Sequence, residues 1–491
     1  MLNKIKTQLS KAKAFMHRDD GSIKEKTLRS GAWLGISGIV INFLTFIRSI
    51  VLARLLTPEI FGLMGIGLMF IRAMDTITRS GVAEALIHRQ DNVDEAKHTV
   101  FTILVARGFL LAIIIASLSP LIADFYGESA LTPLIWLMAV SFPIQSFTNV
   151  NNLIKTKDLE FKRLAYIDQL GEVVNTSATI ILAFWLQSVW ALAIGHVISS
   201  TSFMLLSYIF IPGRPRFRFD LQVAKELFTY GKFITGVSIV LFIASELDKA
   251  VIPKILGIEQ LGFYVLAFTT ANFATTYIAK LASRVLFPAY SKLQHDKVAL
   301  QIAYLSVVRF LGLIILPATI GLILLADELV LLLYGEKWAP ASDVLKVLAV
   351  FGLLRSFTAV NGYLFNGMGK PKIDFYISVV RLVLIGLLIL PLTINYGIVG
   401  TAIAVTVPMG FQLVLGVIWL KKEINLSFLV YLASFMGTIL RCVAMVAIVL
   451  AGQYFLDLGQ TIWLIGTILT AALLYAAISY KPLMKLVKEK N

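Results

Sequence analysis

Apolar stretches of about 20 residues, separated by short polar segments, recur along nearly the whole chain. Each is long enough to cross the roughly 30 Å hydrocarbon core of a bilayer as one α-helix. The pattern predicts about fourteen spans, with approximate bounds 30–52, 58–80, 99–122, 131–153, 164–186, 188–212, 228–250, 260–286, 302–326, 341–366, 373–394, 397–420, 428–451 and 461–480. The predicted fold class is therefore an all-α integral membrane protein.

The first helical hairpin of the chain returns in its second half. Residues 28–69 hold an apolar span, a turn and the start of a second span, and residues 228–269 repeat this layout. Gly62 matches Gly262, 200 residues further on (262 − 62). Two later matches extend the repeat: Tyr126-Gly127-Glu128 with Tyr334-Gly335-Glu336, and Ser146-Phe147-Thr148 with Ser356-Phe357-Thr358. Because each copy begins on the same side of the membrane, the repeat predicts two parallel six-helix lobes and a C-terminal helix pair.

The spans and the repeat together predict the organisation of the chain. The segments are a basic N-terminal segment at 1–27, an N-lobe at 28–212, a connector at 213–226, a C-lobe at 227–422, and the last helix pair with its tail at 423–491. The N-terminal segment has weakly amphipathic spacing, which suits an interfacial helix on an anionic leaflet. A disordered basic tail is the alternative.

Composition agrees with a chain that lies mostly in lipid. Hydrophobic residues make up 58% and charged residues 15%, whereas soluble domains carry about 25% charged residues. The net charge of +15 would suggest nucleic-acid binding in a soluble protein. Basic cytoplasmic loops explain that charge here, so no nucleic-acid partner is expected.

The position of the basic residues predicts the orientation of the spans. Lys and Arg are concentrated at 154–164 and 213–226, and they are absent from 121–131, 184–190 and 454–461. Under the positive-inside rule the basic connections are cytoplasmic. With an even number of spans, both termini are then expected in the cytoplasm.

The sequence gives no indication of catalytic chemistry. The segment at 367–372 has a Gly-Lys pair, but it lacks the spacing and the Ser or Thr of a phosphate-binding loop. With five His and one Cys, no metal-ligand cluster is expected. No catalytic residue, metal or cofactor is therefore predicted.

Charged residues inside the predicted spans are the candidates for function, because burying a charge in a bilayer is costly. Arg107, Arg355 and Arg381 lie deep in their spans without an acid beside them in the sequence, and Arg309 is similar. Structural ion pairs or interface anchors are the alternative for such residues. Four acidic residues and one lysine could instead couple transport to an ion or form a gate, namely Asp75, Asp168, Glu172, Asp248 and Lys249. The excess of arginine suits a phosphate or sugar acid, which guanidinium groups bind in a bidentate manner.

Four segments carry a resemblance to a known family: residues 28–66, GVAEALIHRQ (81–90), LADELVLLLYGEKW (325–338) and NGMGKPKIDF (366–375). ARLLTPEIFG within the first and ALIHRQ within the second are the most specific parts. They resemble the Wzx-type polysaccharide flippases, in the polysaccharide transporter branch of the multidrug/oligosaccharidyl-lipid/polysaccharide exporter superfamily. The chain looks most similar to the colanic acid and teichuronic acid exporter group. The resemblance implies two lobes around a central cavity, alternating access, and an undecaprenyl-diphosphate-linked oligosaccharide as cargo. It also implies cationic cavity residues, namely Arg48, Arg107, Lys280, Arg309 and Arg355.

The expected function is therefore a flippase of the bacterial cytoplasmic membrane that moves lipid-linked repeat units to the outer leaflet. A monomer in contact with membrane lipids, a polysaccharide polymerase and chain-length proteins is expected. Arg48 opposite Asp248-Lys249 is a candidate outer gate. One alternative is a cation-coupled multidrug exporter of the same superfamily, whose cavity would be dominated by carboxylates. The other is a membrane-embedded glycan polymerase or ligase, which would need large outward loops.

Overall fold

The computed structural model describes residues 23–78, 81–89, 91–158, 160–455 and 466–479. Within these ranges the chain is helical and has no β-strand, which confirms the predicted fold class. The helices are α1 Ile23–Leu55, α2 Pro58–Ile77, α3 Val82–His88, α4 Val93–Tyr126, α5 Leu131–Ala139, α6 Ser141–Ser146, α7 Asn151–Lys157, α8 Phe161–Leu186, α9 Val189–Phe210, α10 Leu221–Leu256, α11 Ile258–Leu293, α12 Lys297–Leu324, α13 Ala326–Tyr334, α14 Ala341–Gly367, α15 Pro371–Ile424, α16 Phe428–Phe455 and α17 Gly466–Ser479. Most of the predicted N-terminal segment lies outside the described residues.

Seven of the described helices are long and apolar enough to cross a membrane, and the bent combination of α5, α6 and α7 would be an eighth. This identifies a multi-pass membrane protein, while the count of fourteen spans stays a prediction. α15 covers two of the predicted spans, 373–394 and 397–420. Its backbone leaves the helical conformation at Gly397, which marks the boundary between them.

The fourth predicted span is broken, although the sequence pattern suggested one helix over 131–153. α5 ends at Ala139, and α7 is bent by 63° from the segment before it. Pro143 has no N–H to donate to the carbonyl of Ala139, which accounts for the gap between α5 and α6. The 63° bend lies further on, between Ser146 and Asn151.

The repeated Tyr-Gly-Glu motif has the same local role in both copies. Gly127 follows α4 with φ 74°, and Gly335 follows α13 with φ 96°. Glycine adopts positive φ without the Cβ clash that penalises other residues. The motif therefore ends a helix in each half of the chain.

The described residues form two compact units. The first comprises those up to Leu56 together with Leu63–Phe242, and the second comprises Thr57–Gly62 together with those from Ile243 onward. In the second unit, the fully buried Trp338 packs against Phe61 and Phe263, with ring centroids 5.0 and 5.9 Å apart. The turn of the first hairpin thus belongs to the core of the second unit.

Candidate substrate-binding and coupling residues

In the first unit, Arg48 on α1 forms an ion pair with Glu172 on α8. The Nη1 of Arg48 lies 3.0 Å from Oε1 of Glu172, and the two side chains are only 20% and 10% exposed. Thr45, one turn before Arg48, donates to the same oxygen over 3.0 Å. Each charge therefore neutralises the other inside the unit, which lowers the cost of burying both.

Arg107 on α4 also has a carboxylate partner, supplied by a different helix. Its Nη2 donates to Oδ1 of Asp75 over 2.8 Å and to the backbone carbonyl of Asp75 over 2.7 Å. Nε and Nη2 both donate to Oγ1 of Thr78, over 3.2 and 3.0 Å. The guanidinium thus sits at the C-terminal end of α2, where the helix dipole favours a cation. These hydrogen bonds connect α2 to α4.

Asp248 and Lys249 on α10 belong to a buried polar cluster of the second unit. Tyr264 on α11 donates its hydroxyl to Oδ2 of Asp248 over 2.6 Å. The Nζ of Lys249 lies 3.1 Å from Oε2 of Glu246 and 4.5 Å from the centre of the Phe268 ring. The charges of this cluster are therefore satisfied locally, within one helix and its neighbour.

Arg355 and Arg381, also in the second unit, are held by neutral oxygens. Arg355 on α14 donates to Oδ1 of Asn272 over 3.1 Å. Arg381 on α15 donates to Oε1 of Gln412 over 3.3 Å and to the backbone carbonyl of Ala244 over 3.0 Å. Among the described residues, neither guanidinium has a carboxylate oxygen within ion-pair distance.

The two arginines are close enough for their charges to interact, and Asp248 acts on Arg381 with the opposite sign. Glu246, Asp248 and Lys249 together carry one net negative charge, whereas the two arginines carry two positive charges, so an excess of positive charge remains. Nε of Arg381 is buried and makes no hydrogen bond. Because two like charges held away from water repel each other, this arrangement favours a bound anion.

The remaining predicted residues are placed differently. Arg309 is exposed on α12, and Asp168 is exposed on α8. Lys280 lies in α11, but its side chain is outside the described part of the structure. The structure thus brings Arg355 and Arg381 together, and it gives Arg48 and Arg107 acidic partners.

A polar group that the sequence analysis did not single out lies in the first unit. Nε2 of His196 on α9 is 3.3 Å from Oγ of Ser141, and Gln145 donates to Oγ of Ser200 over 3.0 Å. The sequence did offer one sign of this group, namely a histidine within a predicted apolar span. Ionisable residues at membrane depth usually serve a function.

An apolar cavity of about 710 Å³ lies in the second unit between α12, α16 and α17. Its wall includes Pro317, Gly321, Met445, Ala472 and Tyr475. The hydroxyl of Tyr475 donates to the carbonyl of Leu313 over 2.8 Å, which turns this polar group away from the apolar lining. The cavity is suited to a hydrocarbon chain.

Comparison with known proteins identifies the class. The fold matches that of the lipid II flippase MurJ in its inward closed conformation, with a TM-score of 0.74 over 92% of this chain and 99% of that chain, at 14% identity. At this identity the likeness shows the fold alone, and that fold agrees with the helical membrane fold predicted from the sequence.

The family follows from the sequence itself. The family model described as "Polysaccharide biosynthesis protein" matches residues 51–343, more than half of the chain, so the chain belongs to this family. The lipopolysaccharide biosynthesis protein WzxC of Escherichia coli (strain K12) is 29% identical over 396 residues, which cover 80% of this chain and 79% of that protein. The teichuronic acid biosynthesis protein TuaB of Bacillus subtilis (strain 168) is 26% identical over 368 residues, 74% of this chain and 76% of that protein. The family assignment is confirmed, as is the prediction of a transporter rather than an enzyme.

Proposed function

We propose that the protein is a flippase that moves an undecaprenyl-diphosphate-linked oligosaccharide repeat unit from the inner to the outer leaflet of the bacterial cytoplasmic membrane. The observation that carries the proposal is the pair formed by Arg355 and Arg381, two neighbouring cations with no carboxylate at ion-pair distance among the described residues. Transport proceeds by alternating access, and both termini are cytoplasmic.

The diphosphate of the cargo is the group that fits this pair. Guanidinium forms forked hydrogen bonds with phosphate oxygens, and charge-assisted bonds are about twice as strong as neutral ones. A diphosphate would neutralise both Arg355 and Arg381 and supply the partner that Nε of Arg381 lacks. Arg48 and Arg107 need a bound anion less, since Glu172 and Asp75 already neutralise them.

The apolar cavity between α12, α16 and α17 supports a cargo with a lipid tail. Its volume of about 710 Å³ and its almost wholly apolar lining suit part of a polyprenyl chain. The rest of the polyprenyl chain remains in the bilayer. This arrangement keeps the tail in an apolar medium while the diphosphate and glycan cross.

Two buried carboxylates are the candidates for ion coupling within this function. Glu172 and Asp248 are both buried, and each accepts a hydrogen bond from a hydroxyl group, Thr45 and Tyr264 respectively. Separation of Arg48 from Glu172 during transport would leave this carboxylate free to take up a proton. A polysaccharide polymerase and chain-length proteins remain the expected partners of a monomeric flippase.

Analysis of lipid-linked intermediates tests this function. A strain that lacks the protein should accumulate complete lipid-linked repeat units and lose its surface polymer. Arg355→Ala and Arg381→Ala should fail to restore the polymer although the protein is inserted at normal levels. Arg441→Ala, which removes an arginine of α16 outside the pair, is the matched control and should restore it.

A different outcome would favour the multidrug alternative. If the deletion leaves lipid-linked intermediates unchanged and makes cells sensitive to cationic drugs, the cargo is a small cation and the proposed function is wrong.

A further inference from the structure

Residues 211–220, which join α9 to α10, are an ordered part of the fold rather than a slack linker. We call them the connector strap. Three of its backbone N–H groups, at alternate positions, donate to side chains of α4: Arg216 to Nδ1 of His98 over 2.9 Å, Arg218 to Oγ1 of Thr102 over 3.2 Å, and Asp220 to Oγ1 of Thr99 over 3.2 Å. In an extended chain, alternate N–H groups point to the same side. The edge of the strap that carries these three N–H groups therefore faces α4.

Both ends of the strap are fixed by amide and carboxylate side chains. At its start, Nδ2 of Asn149 donates to the carbonyls of Ile211 and Gly213 over 3.1 and 2.9 Å. At its end, Oδ1 of Asp220 accepts from the backbone N–H groups of Gln222 and Val223 over 2.8 and 3.1 Å, and so caps α10. The path of the strap is thus set over its whole length.

The side chains of the strap combine unpaired positive charge with exposed aromatic rings. Arg214, Arg216 and Arg218 are exposed, and none has an ion pair with any residue that the structure describes. Phe217 and Phe219 are 66% and 57% exposed. The two kinds of residue alternate, so an extended strap presents its arginines on one face and its phenylalanines on the other.

The strap lies where membrane helices leave the hydrocarbon region. α9 is an apolar helix of 22 residues that ends at Phe210, next to the strap. α4 has 34 residues, which at 1.5 Å per residue is about 51 Å and exceeds the roughly 30 Å apolar core. His98, Thr99 and Thr102, the partners of the strap, lie at the start of the predicted span 99–122, where α4 would enter the membrane. This depth is that of the lipid headgroups.

We propose that the connector strap is a docking surface for the headgroups of anionic phospholipids such as phosphatidylglycerol. The three arginines would bind the lipid phosphates, and the phenylalanines would sit at the boundary of headgroups and acyl chains. The partner is assigned by charge: the strap carries three arginines against one acid, Asp220, and none of the arginines is in an ion pair with a described residue. This inference does not depend on the cargo of the transporter.

Lipid selectivity measured by electron spin resonance tests the charge. Purified protein in bilayers should prefer spin-labelled phosphatidylglycerol to spin-labelled phosphatidylcholine. The variant R214A/R216A/R218A should lose about fivefold of that preference per arginine at low salt, and its fold should survive because the strap is held through backbone groups. The charge-conserving variant R214K/R216K/R218K should keep the preference. Unchanged selectivity in the alanine variant would overturn the proposal.

The depth of the strap is tested with a label on its aromatic side. In a Cys442→Ala background, which removes the single cysteine, a spin label at Phe219→Cys should collide more often with oxygen than with a water-soluble nickel complex. A label at Ser129→Cys, an exposed polar position, should show the reverse. If the label at position 219 behaves like the one at 129, the strap faces water or a protein partner, and the lipid surface is excluded.

Discussion

Gly62 and Gly262, equivalent residues 200 positions apart (262 − 62), each lie against the backbone of the other's hairpin. A Cβ on Gly62 would lie 2.0 Å from the carbonyl oxygen of Ile258, and a Cβ on Gly262 would lie 1.9 Å from that of Pro58. Ile258 and Pro58 are themselves equivalent in the repeat (258 − 58 = 200). The contact, which lies in the second unit, is therefore reciprocal, and it requires glycine at both positions.

Substitution of either glycine should separate the two turns. Gly62→Ala and Gly262→Ala should each destabilise the protein by about 1–3 kcal/mol, the usual cost of inserting a carbon into a packed contact, because the clash is with backbone. Thermal unfolding in detergent, followed by size-exclusion chromatography, measures this. Gly386→Ala is the matched control, since a Cβ there meets open space. Gly386→Ala should be neutral or slightly stabilising in its helix. An equal loss of stability in all three variants would contradict the role of the contact between Gly62 and Gly262.

Trp338 is the second element that holds this region together. Its ring is fully buried between Phe61 and Phe263. Trp338→Ala should cost about 3–5 kcal/mol through the cavity that it leaves, whereas Trp338→Phe should retain most of the stability. Thermal unfolding in detergent should therefore distinguish the alanine variant from the phenylalanine variant. A small effect of the alanine variant would show that the aromatic packing is dispensable.

The ion pair of Arg48 and Glu172 should show strong coupling in a double-mutant cycle. Glu172→Gln leaves the Arg48 charge buried without its partner and should cost about 3 kcal/mol. Arg48→Met with Glu172→Gln should cost less than the sum of the single variants, because neither charge then remains. Additive losses would show that the two residues act independently.

A double-mutant cycle of Arg107 and Asp75 should also show coupling, but the coupling energy should be smaller. The Asp75 side chain is 45% exposed, so solvent screens the pair, and Arg107→Ala should cost about 1 kcal/mol. Arg107→Lys keeps the charge but cannot reach the carboxylate, the carbonyl and Thr78 at once, so it should be nearly as destabilised. Full stability of the lysine variant would argue that charge alone matters at this position.

The sequence was a good guide wherever the information was local or periodic. Apolar periodicity predicted the helical membrane fold, and the repeat identified Gly62 and Gly262 as equivalent positions. The bend after Ser146 was not predicted, because the apolar pattern of the fourth span is continuous over 131–153.

Partners from distant helices could not be predicted in the same way. Glu172 follows Arg48 by 124 residues (172 − 48), and no periodic pattern connects them. Arg107 was singled out because no acid lies beside it in the sequence, yet Asp75 reaches it from α2. Arg355 and Arg381 looked no different from Arg107, and only tertiary packing distinguishes a paired arginine from an unpaired one.

The central claim is that Arg355 and Arg381 form the anion site, and it makes two linked predictions about stability. Arg355→Gln keeps a group that can bond to Asn272 and removes one of two repelling charges, so the unliganded variant should unfold at a higher temperature than the native protein. Glu172→Gln, which strands a charge, should change stability in the opposite direction.

Thermal unfolding in nanodiscs with undecaprenyl diphosphate is the most direct measurement. At a hundredfold excess over its dissociation constant, a ligand adds about 2.7 kcal/mol to the native state. The account predicts stabilisation of the native protein by undecaprenyl diphosphate but not by undecaprenol, and no stabilisation of Arg355→Gln or Arg381→Gln. Equal stabilisation of the native protein and both variants by undecaprenyl diphosphate would contradict it.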